Sequence, residues 1–379
     1  MSTELLEIVT WAAPSREPSR RRVEHLRRTA SHLSAALRDL GERFDRRERA
    51  DALLEEIEHL AERPLLRVLG APELCWAVSQ YFLNPTPRLL DDVEEWLVVE
   101  DALAGGARPA RGGWSALGDE YFADPFAPAV PDPWGLPLGD SAYYSAPVRA
   151  GIVLDFRSPS ARRTPKCNEH RAIRMEAPVP MSAAEHQMTV GRITAALRLL
   201  ETAAPRAFEL VTAMTKVIVP RRDSVHPEFY TSASLRTAIG RTALNNPFGT
   251  RVTQAMLASS LVHEAIHAYL YIDEHERPLV TDWDRAFAAV VTSPWTGGAL
   301  TLPTYLHACY VWHGLYNLWS LPSLINAVGE APAHTQRQRA AAGFARGALA
   351  PIAELRALVS PGAWRALERM HHETLQHAA

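Results

Sequence analysis

One stretch constrains this chain more than any other: Leu257–Glu274, read from Met256 as MLASSLVHEAIHAYLYIDE. It contains His263-Glu264-Ala265-Ile266-His267, an H-E-x-x-H motif. On a helix, positions i and i+4 sit one above the other, so both imidazoles can grip one metal ion from one side. Glu264 follows the first histidine and projects beside the metal, where a base or water-orienting carboxylate is useful. Leu257, Leu261, Val262, Ile266, Tyr269, Leu270 and Ile272 make the segment apolar nearly all round, which predicts a buried helix. A buried histidine pair without partners is costly, and a metal answers that cost. The bland alternative is a pair of hydrogen-bonded core histidines, in a chain with 15 histidines.

A three-point site needs one more ligand. Asp273 and Glu274 lie further along the same helix, at about 1.5 Å of rise per residue, too far to fold back onto His267. Asp282 and Asp284 are open possibilities. His307 is the stronger candidate, because it falls within an apolar predicted helix, Leu302–Leu318, among Tyr305, Leu306, Tyr310 and Val311. His313, six residues on, lies on a different face, and Cys309 reads as core.

Composition bounds the rest. The 379 residues are 47% hydrophobic and 22% charged, the balance of a globular chain with a sizeable core. A net charge of -3 gives no case for nucleic acid. No run of about 18 apolar residues suggests a membrane span. The start, MSTELLEIVTWAAPSREPSRRR, lacks an apolar signal core, and Cys75, Cys167 and Cys309 are dispersed; both point to the cytoplasm.

Residues 1–104 read as a helical N-terminal region. In 16–49, Val23, Leu26, Leu33, Leu37 and Leu40 recur at helical spacing, with the arginines on a solvated face or forming a site for an acidic peptide. Further helices are predicted from Leu53 to Leu60, over 65–83 and over 88–103. Residues 105–180 are rich in Pro and Gly. Pro125, Pro128, Pro131, Pro133 and Pro137 break any long helix, and Trp114, Tyr121, Phe122, Phe126 and Trp134 are too apolar for a free linker. This segment should pack on the core, with short strands within Ala142–Phe156. Residues 181–379 carry the motif. Helices are predicted at Ser182–Thr202 and Pro205–Thr215, then short strands at Lys216–Val219, Phe229–Ser234 and Ile239–Leu244. The expected fold is α+β and mostly helical, a zincin-like metal helix beside a small β-sheet. An extended peptide could add to that sheet's edge as a further strand, near Ser232 and Ser234. A helix at Asp282–Val291, a turn at Pro294–Gly298 and closing helices over 334–358 and 361–376 complete the reading.

Three stretches, FYTSASLRTAIGRTALN, LVHEAIHAYL and TYLHACYVWHGLYNLW, resemble the HExxH-type peptide-modifying proteins of bacterial ribosomal-peptide clusters. Members of that family are described as iron- and 2-oxoglutarate-dependent peptide β-hydroxylases. The resemblance covers roughly the C-terminal half. It implies Fe(II) on His263, His267 and His307, 2-oxoglutarate as co-substrate, Glu264 orienting a ligand or substrate, and a ribosomally made precursor peptide as partner. Where the family has Arg-Pro-Leu ahead of the downstream histidine, this chain has Leu300-Thr301-Leu302, which leaves Arg241 or Arg285 to hold the co-substrate's carboxylate. The motif alone most often means a zinc peptidase with Glu264 as general base, and that is the alternative; a peptide-binding scaffold without metal is the third.

Overall fold

The computed structural model describes residues 3–378, apart from 13–14, 107, 110, 124–142, 163–178 and 224–225. Phe126, Trp134, Cys167 and the prolines from 125 to 137 therefore lie outside the described residues. In chain order, helices α1 (Thr3–Ile8), α2 (Glu17–Arg43), α3 (Arg47–His59), α4 (Glu62–Gly70), α5 (Pro72–Leu83) and α6 (Arg88–Gly105) come first. Strands β1 (Gly113–Trp114), β2 (Glu120–Phe122), β3 (Tyr143–Ser145), β4 (Val148–Arg149) and β5 (Ile152–Leu154) follow. Then come α7 (Pro159–Arg162), α8 (Ala183–Ala203), α9 (Pro205–Met214), β6 (Val217–Arg221), β7 (Thr231–Ser234), a 3-10 turn at Arg236–Ala238 and β8 (Arg241–Asn245). The motif helix α10 (Gln254–Asp273) is followed by α11 (Trp283–Ala288), the hairpin β9 (Val290–Thr292) and β10 (Ala299–Thr301), and α12 (Leu302–Leu318). Helices α13 (Pro322–Val328), α14 (Glu330–Ala345) and α15 (Pro361–Ala378) close the chain. The fold is α+β and mostly helical.

The main sheet has the order β4-β5-β6-β8-β7. Strands β5, β6 and β8 run parallel, while β7 lies antiparallel to β8 at one edge. The short strands expected within Ala142–Phe156 form, and β4 and β5 join this sheet. Those strands are only two or three residues long, too short for an alternating pattern to register.

Two cores form. Leu33, Leu37, Leu40, Leu74, Leu90, Val93 and Leu97 close the N-terminal helices on themselves. The larger core gathers α8, α9, α10, α12 and α15 on one face of the sheet, and it also takes in Leu5, Leu6, Ile8, Val9 and Trp11. The Trp11 indole N–H donates to the Gly314 carbonyl at 2.9 Å. A Cβ on Gly314 would sit 2.8 Å from Ile266 and 3.2 Å from Val9, so the glycine admits the N-terminal segment against α10 and α12.

The first half of α2 departs from the solvated face expected for its arginines. Val23 is exposed, whereas Arg21, Arg22 and His25 are buried. Arg21 lies 3.1 Å from Asp273, 2.9 Å from Glu17 and 2.7 Å from Glu24. Arg22 donates to the Gly70 carbonyl at the end of α4 at 2.7 Å. A buried guanidinium persists only when carboxylates or helix-end carbonyls take its protons. Arg21 therefore docks α2 onto the C-terminal end of α10 and Arg22 docks it onto α4, while Arg20, Arg27, Arg38 and Arg43 keep the exposed face expected of them.

Candidate metal centre

Helix α10 starts where Thr253 accepts a hydrogen bond from the Met256 N–H at 3.2 Å, and it is buried on nearly every side. It packs against α8, α9 and α12, with β7 alongside. His263 and His267 share one stripe, and two further turns along it come Tyr271 and Glu274. His307, from the middle of α12, faces this stripe.

The result is a row of polar groups inside an apolar wall. The Ser232 hydroxyl of β7 donates to Glu264 Oε1 at 2.7 Å, and Glu264 is only 2% exposed. Glu264 Oε1 lies 3.8 Å from His263 Nε2. His263 Nε2 and His267 Nε2 face each other at 3.2 Å. His267 Nδ1 and His307 Nδ1 do the same, also at 3.2 Å. His307 Nε2 meets Glu274 Oε2 at 3.2 Å, and Arg236, from the turn after β7, pairs with that oxygen at 3.3 Å. The Arg236 guanidinium in turn rests 4.3 Å over the Trp283 ring. Tyr271 lies against both His267 and His307.

Electrostatics keep the motif histidines uncharged. Burial, helped by the nearby charge of Arg339, pushes His263 down to about 4. Burial and the neighbouring rings hold His267 well below the ordinary histidine range. Burial alone would raise the Glu274 carboxyl, but His307 and Arg236 outweigh it and hold the group below its usual value. Neutral imidazoles are the form that binds a cation.

The geometry fits a metal in part. Imidazole–metal bonds of about 2.0–2.1 Å place two ligand nitrogens about 3.0–3.4 Å apart, which matches the His263–His267 Nε2 pair. His307 does not extend that pair, because it meets the opposite nitrogen of His267. Among the described residues no group of three or more His, Cys, Asp or Glu side chains is placed to hold one ion.

No protein-family model matches the chain, and no curated protein matches it either.

The remaining expected residues are distributed as follows. Ser232 shares the site through Glu264, while the Ser234 hydroxyl is buried and has no hydrogen-bond partner among the described residues. Arg241 is not brought to the histidines. Ser232 pairs with Leu244, so both face α10; Arg241 is an odd number of residues from Leu244 and points from the other face of the sheet. There it binds Glu73 at 2.7 Å and the Ser160 carbonyl at 2.5 Å. Arg285 is exposed on α11. Asp282 caps that helix, accepting from the Arg285 N–H at 3.1 Å, and Asp284 is exposed. His313 is a core histidine held between Thr374 and Asn317, each at 3.1 Å.

Two residues of the row escaped the sequence reading. Glu274 is too far from His267, but its partner is His307, which approaches from another helix. Arg236 carries no local signal at all. A further guanidinium, Arg339 of α14, lies 5.4 Å over the Trp312 ring, and Trp312 meets His263 edge-to-face at 6.1 Å.

Proposed function

We propose that this chain is a metal-dependent, peptide-modifying enzyme: an Fe(II)- and 2-oxoglutarate-dependent hydroxylase acting on a side-chain β-carbon of a ribosomally made precursor peptide. The observation that carries this choice over a zinc peptidase is the state of Glu264. A peptidase base must reach a metal-bound water and take its proton. Glu264 lies near enough, 3.8 Å from His263 Nε2, but the oxygen facing the histidine already accepts from Ser232 inside an apolar wall, as suits a group that orients a ligand. The resemblance of the three motif stretches supports the same reading.

His263 and His267 would hold the iron through their Nε2 atoms. Bound Fe(II), with 2-oxoglutarate and oxygen, supplies the oxidising power for attack on a C–H bond. The chain supplies the rest. Burial keeps the two imidazoles deprotonated at neutral pH. The outer edge of β7 offers main-chain groups to an extended peptide, beside the strand face that carries Ser232. Arg339 stands next to His263 on Trp312 and has a guanidinium to offer the co-substrate's carboxylate, a role for which Arg241, bound to Glu73 from the other face of the sheet, is not placed.

The test is oxidation against hydrolysis. With Fe(II), oxygen and 2-oxoglutarate the protein should release succinate and add one oxygen to a cognate peptide without cutting it. Zinc-dependent cleavage that disappears in Glu264→Gln, with no succinate formed, would reverse the assignment.

A further inference from the structure

We infer that Tyr230 and Ser234 read the sequence of a peptide laid along β7, selecting carboxamide side chains two residues before and two residues after the one delivered to Glu264. This rests on the peptide-binding part of the function proposed above, and it needs no metal.

Side chains two apart on a strand share one face of the sheet, about 6.8 Å from each other. Ser232 marks the face that β7 turns to α10, because its hydroxyl donates to Glu264 Oε1 at 2.7 Å. Ser234 is its neighbour on that face at one end. Tyr230, the residue before the strand, is its neighbour at the other: it packs against the larger core and feels the charge of Glu264. Three hydroxyls therefore stand in line, and only the middle one is used. The Tyr230 and Ser234 oxygens are buried, and among the described residues neither has a hydrogen-bond partner. Ser260 stands beside the Tyr230 hydroxyl without the geometry of a hydrogen bond. A buried hydroxyl without a partner weakens a fold. Two of them flanking a motif carboxylate call for a ligand that supplies the missing bonds.

The sheet offers that ligand a place. β7 is an edge strand, paired on one side only, with β8. A peptide added to its free edge sets alternate side chains on the same face at the same spacing. The one opposite Ser232 comes nearest to Glu264. Those two residues to either side come opposite Tyr230 and Ser234, whichever way the peptide runs. Both residues are partly exposed, so each hydroxyl is one side-chain adjustment away from an arriving group. A phenol is protonated at neutral pH and donates. The negative charge of Glu264 beside it disfavours an arriving carboxylate. A carboxamide accepts without adding charge, whereas an aliphatic side chain leaves both hydroxyls unpaired.

Two labelled, end-blocked heptapeptides test this by fluorescence anisotropy with the metal-free full chain. One is Thr-Asn-Thr-Val-Thr-Asn-Thr; the other has alanine in place of both asparagines. The parent should bind the first more tightly, by about 2–10-fold for each hydrogen bond gained. Tyr230→Phe and Ser234→Ala should each remove one such step for the asparagine peptide and change nothing for the alanine peptide. That coupling is one a merely structural role does not produce. Both variants should be at least as stable as the parent, since each loses a hydroxyl that had no partner. Ser260→Ala should leave both affinities alone. Equal binding of the two peptides by the parent, binding of neither, or an equal loss for both in Tyr230→Phe would overturn the inference. Selective binding of the asparagine peptide by a protein that never forms succinate would uphold it and overturn the reaction proposed above instead.

Discussion

Replacing Gly343 by alanine should loosen the wall behind His263. Gly343 lies inside α14, where glycine ordinarily costs about 1 kcal/mol relative to alanine, so helix propensity alone predicts a gain. The packing predicts the opposite. A Cβ at this position would stand 2.1–2.5 Å from three atoms of the Trp295 indole, well inside contact distance. The ring must move by more than an ångström, and it is tethered: its N–H donates to the Ala340 carbonyl at 2.8 Å, and it stacks on Trp312 at 6.0 Å. Overpacking of this kind costs about 1–3 kcal/mol, and a stranded buried hydrogen-bonding group about 1–3 more. Against the propensity gain, a net loss of about 1–5 kcal/mol follows. Thermal unfolding by circular dichroism measures the loss, and tryptophan emission reports the displaced ring. Fe(II) affinity should fall as well, because Trp312 packs against His263. An alanine variant as stable as the parent, or more so, with unchanged emission would refute the steric argument.

Other outcomes follow from the same contacts. His25, lowered to about 3 by burial and the charges of Arg22 and Arg28, and His313, lowered to about 4 chiefly by burial, stay neutral in the fold but protonate in the unfolded chain. Their stabilisation is therefore complete above about pH 6.5 and is lost as pH falls towards 4, by about 1.4 kcal/mol per pH unit for each. Denaturant midpoints measured from pH 7.5 to 4.5 should drop accordingly, and a flat profile would contradict this. Arg241→Met should destabilise the fold by leaving Glu73 buried without its guanidinium, at a cost of about 3–5 kcal/mol. It should leave 2-oxoglutarate binding to the folded, Fe(II)-loaded protein unchanged, which calorimetry can check. Ser232→Ala should remove a charge-assisted hydrogen bond worth about 1.5–3 kcal/mol and weaken Fe(II) binding through Glu264. A calorimetric affinity equal to the parent's would detach β7 from the site.

The legible parts were those whose cause is local. The apolar run at Leu302–Leu318 is the α12 helix to the residue, and the i, i+4 spacing of the motif places His263 and His267 as the structure has them. Elements that depend on distant partners were not legible. The turn at Pro294–Gly298 is the tip of a hairpin whose strands have three residues each. Arg21 looks like surface, as most α2 arginines are, until Asp273, from a helix more than two hundred residues away, is seen to receive it. Arg241 looked available because nothing near it in sequence announces Glu73. Glu274 was judged by its reach to His267 along one helix, and the geometry that matters to it runs between helices.

The burial of Leu5–Trp11 in the larger core has a consequence for how the chain acquires its structure. Their resting place against Ile266 and Gly314 does not exist until some three hundred residues more have been made. The N-terminal helices can close their own core during that interval, while the strand of chain ahead of them waits, apolar and unpaired. Closure by such long-range contacts is slow, and waiting apolar surface is where chains associate wrongly. Replacing these apolar residues with polar ones should therefore lower the yield of native protein before it touches the histidines.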